Sequence, residues 1–172
     1  MKTKIVMTFV LCAALTGLAT AAGSPPQFKD YPAQPVQVQR NHPLVMDDFG
    51  KAYRTRLSDA IKSEKPSFAG KYLVVRWGCG SSGCNTGAVV DVTTGKATPF
   101  PVSMSSVFPL KPEFEGKDEQ ELHYRLDSRL MVFAGNLETD HGEGTDTVEF
   151  YEFTGDGFRF IKSLPYGRKA SE

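Results

Sequence analysis

Three features of the chain predict an α+β fold that is mainly an antiparallel β-meander. Short segments rich in β-branched and aromatic residues follow one another from Tyr72 onward, glycine-centred turns at Gly95 and Gly155 join two pairs of them, and one earlier stretch carries helical spacing. About seven strands are expected after a single N-terminal amphipathic helix.

The first element is a leader. Lys2 and Lys4 precede an apolar run from Ile5 to Leu18, and Ala19-Thr20-Ala21 or Thr20-Ala21-Ala22 supplies small residues for cleavage. Residues 1–22 therefore read as a signal peptide, and the protein as periplasmic or secreted. Residues 23–46 form a proline-rich extended arm: five of the eleven prolines fall between Gly23 and Pro43, with few large apolar residues and no period. Residues 47–172 then make a single α+β domain. It opens with a helix from about Asp48 to Lys65, in which Phe49, Tyr53, Leu57 and Ile61 recur every fourth position and Asp47 or Asp48 caps the first turn. Pro66 closes it.

The strands follow in order. Tyr72–Trp77 and Ala88–Val92 are the first two, and Thr93-Thr94-Gly95-Lys96 turns the second into a third that runs through Phe100. Leu122, Tyr124 and Leu126 alternate with His123 and Arg125, Asp127-Ser128 turns the chain into Leu130–Ala134, and Val148–Phe153 joins Phe158–Leu164 through Thr154-Gly155-Asp156-Gly157. The two strand–turn–strand units with Thr-Gly turns also allow an arrangement of two blade-like sheets, although the chain is too short to close a propeller.

Composition narrows the function. Removing the two leader lysines from an otherwise neutral chain leaves a net charge of −2, with the basic residues scattered, so no nucleic-acid partner is expected. The leader's apolar run is shorter than the ~20 residues that cross a bilayer, and no membrane span is expected in the mature chain. Cys12 lies in the leader with Leu11, not a small residue, before it. That leaves Cys79 and Cys84 as a pair, which exported proteins keep oxidised.

Several of these stretches together resemble an uncharacterised group of small secreted bacterial proteins. They are Phe68-Ala69-Gly70-Lys71-Tyr72, Trp77-Gly78-Cys79-Gly80 with Cys84 after it, Gly87-Ala88-Val89-Val90-Asp91, Thr94-Gly95-Lys96 and Asp127-Ser128-Arg129-Leu130. The resemblance covers Phe68 to Phe160 and implies a shared fold. It brings no catalytic or binding residues with it.

The candidate sites are few. Cys79 and Cys84 enclose four residues and read as a structural disulfide rather than a redox pair, which more typically spaces its cysteines Cys-x-x-Cys at a helix start. No further cysteine pair or histidine spacing completes a zinc site, and no cofactor is expected. Gly80-Ser81-Ser82-Gly83 lacks the Gly-x-Ser-x-Gly spacing of a nucleophile elbow. Two acidic stretches remain. Glu113, Glu115, Asp118, Glu119 and Glu121 lie in a long loop from Val107 to Gln120 or at its end, and Glu138, Asp140, His141, Glu143 and Asp146 in a hairpin loop with four carboxylates and no lysine or arginine. Such a negative pole suits a cationic envelope protein or secreted toxin. The leading expectation is thus an exported, non-catalytic binding protein, such as an inhibitor or immunity protein of a periplasmic enzyme. The alternatives are a cell-wall or glycan hydrolase working through carboxylates, and a structural or assembly factor of the envelope that offers a sheet edge.

Overall fold

A computed structural model describes residues 24–80, 83–105, 122–139 and 142–165, with the backbone alone for 142–146. The leader and the Val107–Gln120 segment lie outside these residues. Eight antiparallel strands make one hydrogen-bonded sheet: β1 (Tyr72–Gly78), β2 (Asn85–Asp91), β3 (Ala97–Pro99), β4 (Ser103–Met104), β5 (Leu122–Tyr124), β6 (Leu130–Thr139), β7 (Gly142–Phe153) and β8 (Phe158–Pro165). The path runs β1-β2-β4-β6-β7-β8, with β3 beside β2 and β5 beside β6.

The two-residue strand β4 is the joint between two halves. It pairs Asn85 with Met104 on one side, and Ser103 with Glu138 and Met104 with Leu137 on the other. Four strand steps separate β1 from β7, about 19 Å in a flat sheet, yet the Tyr72 and Phe153 rings lie 4.7 Å apart. The sheet therefore curls over on itself. Tyr72, Val74 and Val89 of the first half meet Met131, Phe133, Tyr151 and Phe153 of the second, with Phe68, Phe100 and Leu122 between them, in one aromatic-rich core. Gly87 admits this packing, because a Cβ there would press on the Phe100 ring.

Each half also has an apolar outer face, and the two are covered differently. Over the first half lies the helical stretch, which is two helices where the sequence predicts one: α1 (Asp48–Ala52) and α2 (Arg54–Ser63). Asp47 caps α1 by accepting from the Gly50 amide at 2.7 Å. Tyr53 leaves helical geometry at φ −114° and ψ 22°, and its ring sits between Phe49 at 4.9 Å and Trp77 at 4.7 Å. The four-residue period survives the break because Tyr53 still faces the sheet. Leu57, Ala60 and Ile61 of α2 bury Leu73, Val75, Trp77, Ala88 and Val90.

The outer face of the second half, formed by Leu130, Val132, Ala134, Val148 and Phe150, is covered by Phe28 of the proline-rich segment. That segment runs mostly as irregular chain with one 3₁₀ turn at Phe28–Asp30, and it is pinned at several points. Ser128 Oγ donates toward the carbonyls of Phe28 and Tyr31 and accepts from the Leu130 amide. Arg129 N donates to Tyr31, Ala33 N to Asp127, Val36 N to Gly70, His42 N to Val92, and Val45 N to Gly95. Gly70 and Gly95 both have positive φ, and a Cβ on either would collide with an arm carbonyl, that of Gln34 or Pro43. Phe68-Ala69-Gly70, Thr94-Gly95-Lys96 and Asp127-Ser128-Arg129-Leu130, stretches that stand out in the sequence, are thus the places where the arm docks.

Candidate functional site

The disulfide is present. Cys79 and Cys84 are bonded with their Cα atoms 5.1 Å apart, and the Cys79 amide donates to the Cys84 carbonyl at 3.0 Å, which ties the end of β1 to the start of β2. Trp77, two residues before Cys79, is buried on the helix side, the face its alternation with Leu73 and Val75 assigns to it.

The acidic stretch at Glu138–Asp146 differs from the expected loop. Pairing between β6 and β7 continues through Asn136–Asp146 and Leu137–Thr145 to Thr139–Gly142, so the stretch belongs to the end of a long hairpin whose β6 strand is still edged by β4 at Leu137 and Glu138. Among the described residues, which end at Pro165, the outermost β7–β8 pair is Thr147–Pro165 and Gly142–Asp146 pair with β6 alone. From Thr147 to Gly142 the hairpin advances by about 17 Å at ~3.4 Å per residue. Glu138 is exposed on β6, where Ser103 Oγ donates to its carboxylate at 3.4 Å. Glu143 and Asp146 stand on β7, with Asp146 opposite Asn136. Asp140, His141, Glu113, Glu115, Asp118, Glu119 and Glu121 lie outside the described residues.

Three carboxylates are buried instead on the strands, and each has a partner. Asp91 takes Lys71 Nζ at 2.8 Å and the Thr93 hydroxyl and amide at 2.6 and 2.8 Å. Burial opposes its charge, but the hydrogen bonds from Lys71 and Thr93 outweigh it and hold the carboxyl below its ordinary range. Beside it, burial and the Asp91 charge push the Tyr72 hydroxyl up to about 12. Glu152 pairs with Arg129 at 3.0 Å and with Arg159, next to the docked arm; burial and the Glu152 charge raise the Tyr31 hydroxyl. Glu149 faces the inner core and accepts from the Tyr151 hydroxyl at 2.7 Å. The sequence signal for the last two is the pair of acids inside the apolar strand Val148–Phe153. Among the described residues, no group of three or more histidines, cysteines or acids is placed to hold a metal ion.

Between α2 and the arm runs an open groove of about 890 Å³, floored by Val36, Val38, Leu44, Ile61 and Leu126. Nothing in the sequence points to it, since its walls come from separate segments. Comparison with protein-family models, with curated proteins and with solved structures finds no match.

Proposed function

We propose that this is an exported, non-catalytic binding protein of the bacterial envelope, of the kind that inhibits or neutralises a periplasmic enzyme. The observation that carries this reading is the β6–β7 hairpin, which places Glu138, Glu143 and Asp146 on two paired strands at its Thr139–Gly142 end. A hairpin with an acidic end can meet the cleft of a cationic partner, and its charge steers the encounter. The engaged state of the three buried carboxylates supports binding over carboxylate hydrolysis: each already serves the fold, through Lys71, through Arg129 and Arg159, or through Tyr151. Export is supported by the disulfide and by the Lys2–Ala22 leader pattern.

Capture from periplasmic extract tests the proposal, with Glu138→Lys/Glu143→Lys/Asp146→Lys run in parallel. The expected result is a basic protein retained in stoichiometric amount and lost from the triple variant. Retention unchanged by the reversals would remove the hairpin from the mechanism. One observation favours an assembly factor as a second reading: among the described residues β8 is an edge strand of eight residues, and Phe160 on it is exposed. A partner lost on proline substitution in β8, and kept by the hairpin variant, would select that reading.

A further inference from the structure

The groove between the arm and α2 has a chemistry of its own, independent of the hairpin. The arm is held at both ends of this wall, by Val36 N on the Gly70 carbonyl and His42 N on the Val92 carbonyl, and Asn41 Nδ2 bonds the Ile61 carbonyl at 2.8 Å near the end of α2. Between these anchors, the backbone groups of Gln37–Arg40 make no hydrogen bond among the described residues. Two of the five large apolar residues that are exposed among the described residues, Val36 and Leu126, lie in this groove. Its charged lining is Arg40, Lys62 and Lys65 against the single acid Glu64. Lys62 has only a 3.7 Å surface contact to Asp59, and among the described residues Arg40 and Lys65 have no ion-pair partner.

We propose that this groove is a binding site for an extended, acidic peptide segment of a partner protein. The apolar floor accepts every second side chain, the lysines and Arg40 meet carboxylates at the rim, and the open N–H and C=O groups of Gln37–Arg40 pair with the ligand's main chain, as in strand addition. From Val36 to His42 the wall is at most about 20 Å long, which fits some six residues of extended chain. The unpaired backbone favours a peptide over a lipid surface, which supplies anionic heads and apolar tails without matching amides. Glu64 at the rim restricts where an acidic side chain can sit and so sets register.

The test is panning of a displayed random heptapeptide library against the purified protein, with Arg40→Glu/Lys65→Glu as the counter-target. Both positions are exposed and unpaired, so the variant is expected to keep its circular dichroism and unfolding midpoint. The proposal predicts enrichment of peptides that alternate Asp or Glu with apolar residues. An enriched peptide should bind the variant at least about tenfold more weakly at low salt, by less as salt is added, and N-methylation of alternate backbone amides in it should abolish binding. Enrichment without acidic bias, or equal binding to the charge-reversed variant, would overturn the proposal. Absence of peptide binding together with sedimentation on phosphatidylglycerol vesicles, lost in the variant, would overturn it in favour of a membrane surface. Loss of the hairpin's partner leaves this result untouched, so the two proposals fail separately.

Discussion

The two halves of the sheet solve one problem with different materials. Each has an inner face in the shared aromatic core and an apolar outer face that must be hidden. Over β1–β3 the cover is the amphipathic α2, whose Leu57 is fully buried and whose contribution is apolar area. Over β6–β8 the cover is Phe28 on a strap with no repeating pattern, held by Ser128, by backbone bonds, and by the Glu152 pairs that flank it. A helix carries its own hydrogen bonds and needs only a greasy face. A strap of irregular chain must find partners for its amides on the body, which is why glycine and serine corners occur where it lands.

The largest effects should come from emptying either cover. Leu57→Ala and Phe28→Ala are each expected to cost about 3 kcal/mol in urea unfolding; a loss below about 0.5 kcal/mol for Phe28→Ala would mean that the strap covers nothing. Next comes Gly95→Ala, which combines a positive φ with a collision against the Pro43 carbonyl, and should cost about 2 kcal/mol while exposing Pro43–Val45 to proteolysis. A smaller effect separates the two covers by salt. Glu152→Gln weakens a buried carboxylate's pairs with two partly exposed arginines, about 1 kcal/mol after screening, and that loss should shrink in 1 M salt, whereas the Leu57→Ala loss should not.

A further expected effect is in alkali, and it belongs to the first half. The folded-state pKa of Tyr72, about 12, is raised above its ordinary 10.0, so its contribution is complete below pH 10 and is lost as pH rises towards 12. Tyr72→Phe should flatten the stability profile across that window in pH-stepped urea melts. An unchanged slope would show that burial beside Asp91 does not govern the ionisation.

Legibility in the sequence follows the same division. Elements that bury one face of a regular structure were visible: the Leu57–Ile61 spacing, the alternation of Leu73, Val75 and Trp77, and the Asp156-Gly157 turn. The break at Tyr53 was not, because a kink that keeps its residue on the buried side leaves the period intact. Phe28 carried no signal, since a single aromatic among prolines has no periodicity to show that it is a core residue. The hairpin end reads as a loop in the sequence for a physical reason: its glycines and acids lack the apolar alternation by which half-buried strands are recognised. Strand β4 is two residues long and falls below any pattern. The groove escaped altogether because it is made by docking the arm on α2, an event that local sequence does not encode.

Docking of the arm is therefore the claim on which the second cover, the glycine corners and the groove wall all depend. Residue-resolved amide hydrogen exchange on the intact protein tests it most directly. With the arm docked, the amides of Ala33, Val36, His42 and Val45 are expected to be protected while those of Gln37–Arg40 between the anchors exchange freely. Uniformly fast exchange from Ala33 to Val45, at the rate of an unstructured chain, would contradict it.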